Sequence, residues 1–289
     1  MLIRLGYEIA IECPQVMPVI SLLEIHPERQ ADVKRQTKVL TSPHVPSTTY
    51  VDSFGNVCRR FMAPEGGFRI LHDAVIEDSG EPDEINTLAQ ETPIDQLPPE
   101  TLVYLLGSRY CETDHLGDLA WRLFGHLPGG WVRVQAITDY VHNRLSFGYG
   151  YARSTRTAAQ AHDERVGVCR DFAHLAIALC RCMNIPARYV NGYMGDIGVP
   201  PDPAPMDFNA WFEAYLDGQW YTFDARHNMR RIGRVVVARG RDATDVPLLH
   251  TFGSHKLTTF KVWTYEQDSH PATPPVHGVD RTLTTTLIA

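Results

Sequence analysis

The stretch Arg165-Val-Gly-Val-Cys-Arg-Asp-Phe-Ala-His174 governs the reading of the whole chain. A glycine-containing turn runs there into an apolar segment in which Phe172, Ala176, Leu179, Cys180 and Met183 recur at helical spacing, and Pro186 marks the stop. Cys169 therefore falls in the first turn of a largely buried helix. Unpaired N–H groups and the positive end of the helix dipole favour a thiolate at such a position. A cysteine so placed can act as a nucleophile. Cys180 and Cys182, further along the same helix, read as packing residues.

Upstream of this segment, Trp131 to Leu145 predicts an amphipathic helix with Val134, Ile137, Val141 and Leu145 on one face, preceded by shorter helices over 99–106 and 115–124. A loop rich in Gly, Tyr and Arg, Phe147 to Arg156, separates it from the Cys169 helix. Downstream the period drops to two. Residues 187–193, 210–216 and 219–224 read as strands, the last two joined across Asp217-Gly218, and 235–237 and 258–264 as further edge strands. Residues 1–77 carry short alternating strands and a hairpin signal at Gly55-Asn56, which predicts a small β-sandwich-like domain. Residues 78–98 are acidic and proline-punctuated and read as a linker, 99–267 as an α+β core, and 268–289 as a disordered tail.

Composition removes several functional classes. A hydrophobic fraction of 44% with 21% charged residues is that of an ordinary globular protein with real cores. The formal charge of −7 and the absence of a dense Lys/Arg run argue against nucleic acid as a partner. The six cysteines show no C-x₂-C pair and the histidines no HExxH or H-x₃-H spacing, so neither a metal nor another cofactor is expected. The first fifteen residues are apolar but too short and interrupted for a secretory or membrane segment, and with reduced thiols this predicts a cytoplasmic protein without a membrane partner.

A cysteine-bearing helix followed by antiparallel strands that carry a base and an acid is the layout of papain-like nucleophilic catalysis. The ordered motifs here closely resemble the transglutaminase-like superfamily over roughly 130–245. Gly167-Val-Cys-Arg-Asp-Phe-Ala-His-Leu175 resembles its nucleophile segment, and Asn184 to Tyr193 the strand that follows. Asp207-Phe-Asn-Ala-Trp-Phe-Glu-Ala-Tyr-Leu216 resembles its base strand, and Trp220-Tyr-Thr-Phe-Asp-Ala225 its acid strand. The resemblance implies an α+β, papain-like core preceded by the β domain of bacterial members. It also implies a Cys-His-Asp triad for acyl transfer on a peptide or small amide substrate. The nucleophile carries over to Cys169 and the acid to Asp224, but the base position holds Asn209.

Asparagine has no usable pKa near neutrality and cannot take a proton from a thiol. Three readings follow: a replacement that traps an inactive form, a protein that works slowly or with another histidine, or a non-catalytic peptide- or amide-binding module on the same fold. His227, three residues beyond Asp224, is the alternative base. His174 is rotated about 140° from Cys169 on a helix of ~3.6 residues per turn and reads as a core residue. Tyr149 and Tyr151 are candidates for a substrate groove, as is Trp211 beside the base position. Within the enzyme readings, hydrolysis is favoured over transamidation because no second amine site is apparent.

From its helix position Cys169 is expected to react with iodoacetamide faster than the other five cysteines, which peptide mapping after native labelling measures. Labelling of Cys180 or Cys182 ahead of Cys169 would remove it as the nucleophile.

Overall fold

The structure is a computed structural model that describes residues 1–267; the predicted tail from 268 lies outside the described residues. The chain opens with seven strands, β1 (Leu2–Cys13), β2 (Met17–Ser21), β3 (Val33–Gln36), β4 (Leu40–Ser42), β5 (Ser47–Val51), β6 (Val57–Ala63) and β7 (Gly66–Glu77). Then come α1 (Thr113–Phe124), α2 (Trp131–Arg144), β8 (Ser146–Phe147), α3 (Ala158–Glu164), β9 (Val166–Gly167) and α4 (Cys169–Cys182). Six strands complete the fold: β10 (Ala187–Tyr193), β11 (Asn209–Leu216), β12 (Gln219–Phe223), β13 (Val235–Gly240), β14 (Leu249–Thr251) and β15 (Lys256–Glu266). The result is an α+β fold: antiparallel β-sheets at the N-terminus, then helices packed on an antiparallel sheet ordered β12-β11-β10-β13.

The alternation of Ile3, Leu5, Tyr7, Ile9 and Ile11 along β1 buries one face of the first sheet. That sheet runs β15-β1-β7-β3 with β4 also on β7, and a second sheet, β14-β2-β6-β5, completes the sandwich. Two of its strands come from the far end of the chain, which corrects the assignment of everything after residue 99 to the core. Strand β15 pairs along β1 from Ile3↔Glu266 to Glu12↔Lys256, and β14 pairs with β2. The cause is that β1 is apolar and has a free edge opposite β7, which the buried Val262, Trp263 and Tyr265 of β15 cover.

The segment 78–98, read as a linker, is laid across the core. Asp83 accepts from Arg234 Nε at 2.9 Å and from the Arg231 backbone N–H at 2.9 Å. Glu91 accepts from Arg133 at 2.7 Å, and the Ala89 carbonyl takes the Trp131 N–H that opens α2. Two of the acidic residues that suggested a solvated connector, Asp83 and Glu91, are partners of arginines on the core.

Helix α4 is the centre of the core, with both faces covered: Arg170 through Arg181 are all buried. It ends as its sequence requires, with Asn184 in the left-handed region (φ 63°) and the Ile185 N–H returning to the Cys180 carbonyl at 3.0 Å. The β11–β12 hairpin turns at Asp217 and Gly218, both at positive φ (49° and 85°), the geometry that matches strand twist. Among the described residues no helix is long and apolar enough to cross a membrane.

Sheet and sandwich meet at a buried charge cluster. Glu213 on β11 accepts from Arg239 on β13 at 3.0 Å and from Arg188 on β10 at 2.5 Å, and Arg239 also reaches Glu28 of the sandwich at 2.7 Å. Asn56, in the β5–β6 turn, exchanges two hydrogen bonds of 2.7 Å with the Arg239 backbone and so covers the exposed edge of β13. Burial alone would raise the Glu213 pKa, but Arg239 and Arg188 outweigh it and hold the carboxyl below its usual range. Its contribution to stability is therefore present above the unfolded value of about 4.3 and is lost as pH falls through the lower folded value. Glu213→Gln, which leaves two buried guanidinium groups short of a partner, is expected to cost about 3–5 kcal/mol. Urea unfolding should show a lowered midpoint at neutral pH and a difference from wild type that shrinks on acidification.

Candidate active site

The Cys169 end of α4 is built by the Gly-Val-Cys-Arg-Asp run. Asp171 folds its carboxylate back onto the Val168 N–H (2.9 Å) and takes Arg156 Nη1 at 3.1 Å, which closes the first turn. A side chain at position 167 would sit 2.6 Å from the Asp171 Cβ, so glycine is required there. Strand β9 pairs with β8, which brings Phe147 and the Tyr149 loop alongside the helix start.

Cys169 sits against β11 with the Ala210 N–H directed at its sulfur. Burial raises its thiol pKa, and the Arg226 charge and the Ala210 N–H offset that only in part, while Asp207 opposes them. The sequence reading weighed the helix dipole and left out desolvation, which wins here. A thiol whose pKa is raised needs a base before it can attack a carbonyl.

The turn after β12 delivers the charged groups. Asp224 Oδ1 accepts the backbone N–H groups of Arg226 (3.0 Å) and His227 (3.1 Å). Asn228 follows at φ 48° and donates its N–H to the Asp224 carbonyl at 2.8 Å. Helix α2 pins the turn: the His142 ring meets the Ala225 and Arg226 carbonyls through Nδ1 (3.2 and 3.0 Å), and Gln135 and Asp139 hold the Asn228 side chain.

Asp224 Oδ2 is also fully committed, to His227 Nδ1 at 3.0 Å and to Arg234 Nη2 at 2.9 Å. Burial would push this carboxyl up; Arg234 first and His227 next hold it far below the ordinary carboxylate range. An ionised carboxylate only accepts hydrogen bonds, so Nδ1 of His227 is the nitrogen that donates to it and Nε2 is the one left to exchange a proton.

The structure does not join Asn209 to Asp224. Asn209 is 9% exposed, and its amide donates to the Asp207 carbonyl at 3.2 Å and accepts from Arg226 Nη1 at 3.1 Å. It shares a small cleft of about 50 Å³ with Arg226, His227, Tyr149, Asp207 and Arg231. Of the three groove candidates only Tyr149 lines this cleft. Trp211 is 1% exposed and packs with Val190 and Val236 under Arg234, because β11 is covered on both faces; Tyr151 is 44% exposed on the short turn that follows Gly148. His174 is a core residue as expected: its Nε2 accepts the Ala243 N–H at 3.1 Å, the ring stacks on Tyr110, and burial drives its pKa down to about 3. Among the described residues no three His, Cys, Asp or Glu side chains converge to hold a metal ion.

Sequence reasoning missed Arg226, Arg234 and His142. The signal for Arg226 was present: the two-residue hairpin pairs Phe212 with Phe223, and the same register carried past the strand end sets position 226 opposite 209.

A cysteine opening a buried helix, packed on an antiparallel sheet whose strand ends carry a buried aspartate and a histidine, defines a transglutaminase-like cysteine-protease fold. The profile of the Transglutaminase-like superfamily matches residues 126–225. A candidate cysteine protease from Cytophaga hutchinsonii has a crystal structure that superposes with a TM-score of 0.80 at 30% identity, covering 95% of this chain and 93% of that one. Uncharacterised proteins of Mycobacterium leprae (27% identity, 79% of this chain and 85% of the relative) and Mycobacterium tuberculosis (27%, 76% of each) are similar over most of their length. The chain belongs to the transglutaminase-like superfamily.

Asp224 and His227 should separate in their effects on stability. Asp224→Asn strands Arg234 beside one remaining carboxylate and is expected to destabilise by about 3–5 kcal/mol. His227→Ala, on a part-exposed turn held by other groups, should leave the unfolding temperature near that of the wild type. Thermal unfolding followed by circular dichroism measures both. Equal losses would mean that the histidine supports the fold.

Proposed function

We propose that this protein is a cysteine amidase or peptidase in which Cys169 is the nucleophile, Asp224 the orienting acid and His227 the general base. The observation that carries the reading is the 3.0 Å hydrogen bond from His227 Nδ1 to Asp224 Oδ2, which leaves Nε2 as the proton acceptor in the cleft that Asn209 and Arg226 also line. The raised thiol pKa makes such a base necessary.

In this scheme His227 Nε2 takes the Cys169 proton and the sulfur attacks the amide carbonyl. The imidazolium returns the proton to the departing amine as the C–N bond breaks, leaving a thioester on Cys169. Water, deprotonated by the same nitrogen, then adds to the thioester, and the acid product leaves as the thiol is reprotonated. Asn209 takes no part in proton transfer. With all four Asp224 contacts filled, an imidazole at 209 would find no carboxylate lone pair to orient it. Hydrolysis is preferred to amine transfer, since water reaches an open cleft without a binding site of its own.

A fluorogenic peptide or aryl amide library, scored for Cys169-dependent release, supplies a substrate. On it His227→Ala is expected to lower kcat by about 10²–10⁴, the usual worth of general acid–base help, while Asn209→His gives no gain. A rate increase in Asn209→His with no loss in His227→Ala would transfer the base to position 209. Binding of peptides without turnover in any variant would favour the module that keeps the cleft and not the chemistry.

A further inference from the structure

Arg226 Nη1 reaches the side chain at 209, where the resemblance expects the base, and a guanidinium cannot exchange a proton near neutrality. It is nonetheless held on all sides. Its main chain is fixed at both ends, the N–H on Asp224 Oδ1 at 3.0 Å and the carbonyl on His142 Nδ1 at 3.0 Å. Its side chain donates Nη1 to Asn209 Oδ1 at 3.1 Å and lies over the Phe147 ring, 3.7 Å from the centroid.

Both side-chain anchors lead to the nucleophile. Asn209 immediately precedes Ala210, whose N–H points at the Cys169 sulfur, and Phe147 pairs with Gly167, two residues before Cys169. The planar group is thus spanned between the two walls that flank the thiol. Lysine at this position could not both lie flat on the ring and hold the fork to the amide.

We propose that Arg226 is the fixed counter-ion of the Cys169 thiolate, and that Asn209 is the positioning residue that holds it there. The proposal rests on the reading of Cys169 as the reactive thiol. It divides a labour that a Cys–His pair combines: an imidazolium stabilises the thiolate and carries its proton, whereas here Arg226 supplies the charge and His227 carries the proton. It also accounts for asparagine at 209. A neutral side chain with a carbonyl can accept from a guanidinium, and a protonated imidazole would repel it.

The charged groups that act on the sulfur divide by sign. Arg226, from the turn after β12, is the cation that most favours the thiolate. Asp207, on the approach to β11, opposes it. Asp171 on α4 also opposes it but is tied to the Val168 N–H and Arg156. Tyr189 on β10 faces the sulfur with a deeply buried hydroxyl that stays protonated, and Arg170 turns away to the carbonyl of Arg153. Because the guanidinium does not titrate, the thiolate keeps its counter-ion at every pH at which the protein is folded.

The test is the pH profile of Cys169 alkylation by iodoacetamide, read by peptide mapping in the full chain, in wild type, Arg226→Gln, Arg226→Lys, Asn209→Ala and His227→Ala. Loss of an opposite charge at close range moves a pKa by about 1–3 units, so Arg226→Gln should shift the midpoint up by about one unit or more and slow labelling at least about tenfold below it. Arg226→Lys, which keeps the charge, and Asn209→Ala, which frees the guanidinium, should shift it by less. His227→Ala should leave it nearly in place. A midpoint unmoved in Arg226→Gln, or one that follows His227→Ala, overturns the counter-ion. Should Arg226→Gln fail to fold, the graded shifts of Arg226→Lys and Asn209→Ala decide the matter, and no shift in either overturns it. Turnover is scored separately: a moved midpoint without any amidase activity retires the enzyme reading and leaves the counter-ion standing, and the reverse result does the opposite.

Discussion

The pairing of buried Arg234 with two carboxylates, Asp224 at the strand end and Asp83 on the crossing segment, is the constraint on which the site depends. Alone, each of these groups would be costly to bury; paired, they offset much of one another's lost hydration. One guanidinium thereby ties the connection between sandwich and core to the turn that carries Arg226 and His227. The carboxylate so anchored stays ionised, which fixes the proton on His227 Nδ1 and sets the direction of any proton transfer. The remaining contacts of the turn, from His142, Gln135 and Asp139 on α2, refine a position that this arginine has already set.

Much of this architecture was legible in the chain. The helix that begins at Cys169, the strands after Pro186 and the hairpin at Asp217-Gly218 are local signals, written in spacing and turn chemistry, and they stand where periodicity put them. The return of β15 to β1 was not legible, because a strand states which face is apolar and not which edge it will join. The acidic 78–98 segment misled for a related reason. Glu and Asp look solvated until the arginines that meet them, more than a hundred residues away for Asp83, are in place.

At the site, motif matching singled out Cys169, Asp224 and the irregular Asn209 between them, yet it could not say what asparagine does there. Its role emerges only from Arg226, a residue that reads in sequence as an ordinary surface arginine in a turn. The sulfur's environment was misread for a physical reason: a helix terminus offers part of a unit charge, and the loss of hydration around a half-buried thiol outweighs it. Trp211 was misplaced because a strand covered on both faces hides even its largest side chain from the cleft.

The antiparallel pairing of β1 with β15 also constrains how the molecule comes into being. Ile3 finds its partner Glu266 only after nearly the whole described chain has left the ribosome, on the order of tens of seconds later at ordinary rates of synthesis. Throughout that interval a long apolar strand has one uncovered edge, the condition under which nascent chains pair with the wrong neighbour. The Cys169 helix and its sheet are complete before the strand that precedes them is covered, and so the first residues synthesised are among the last to be folded.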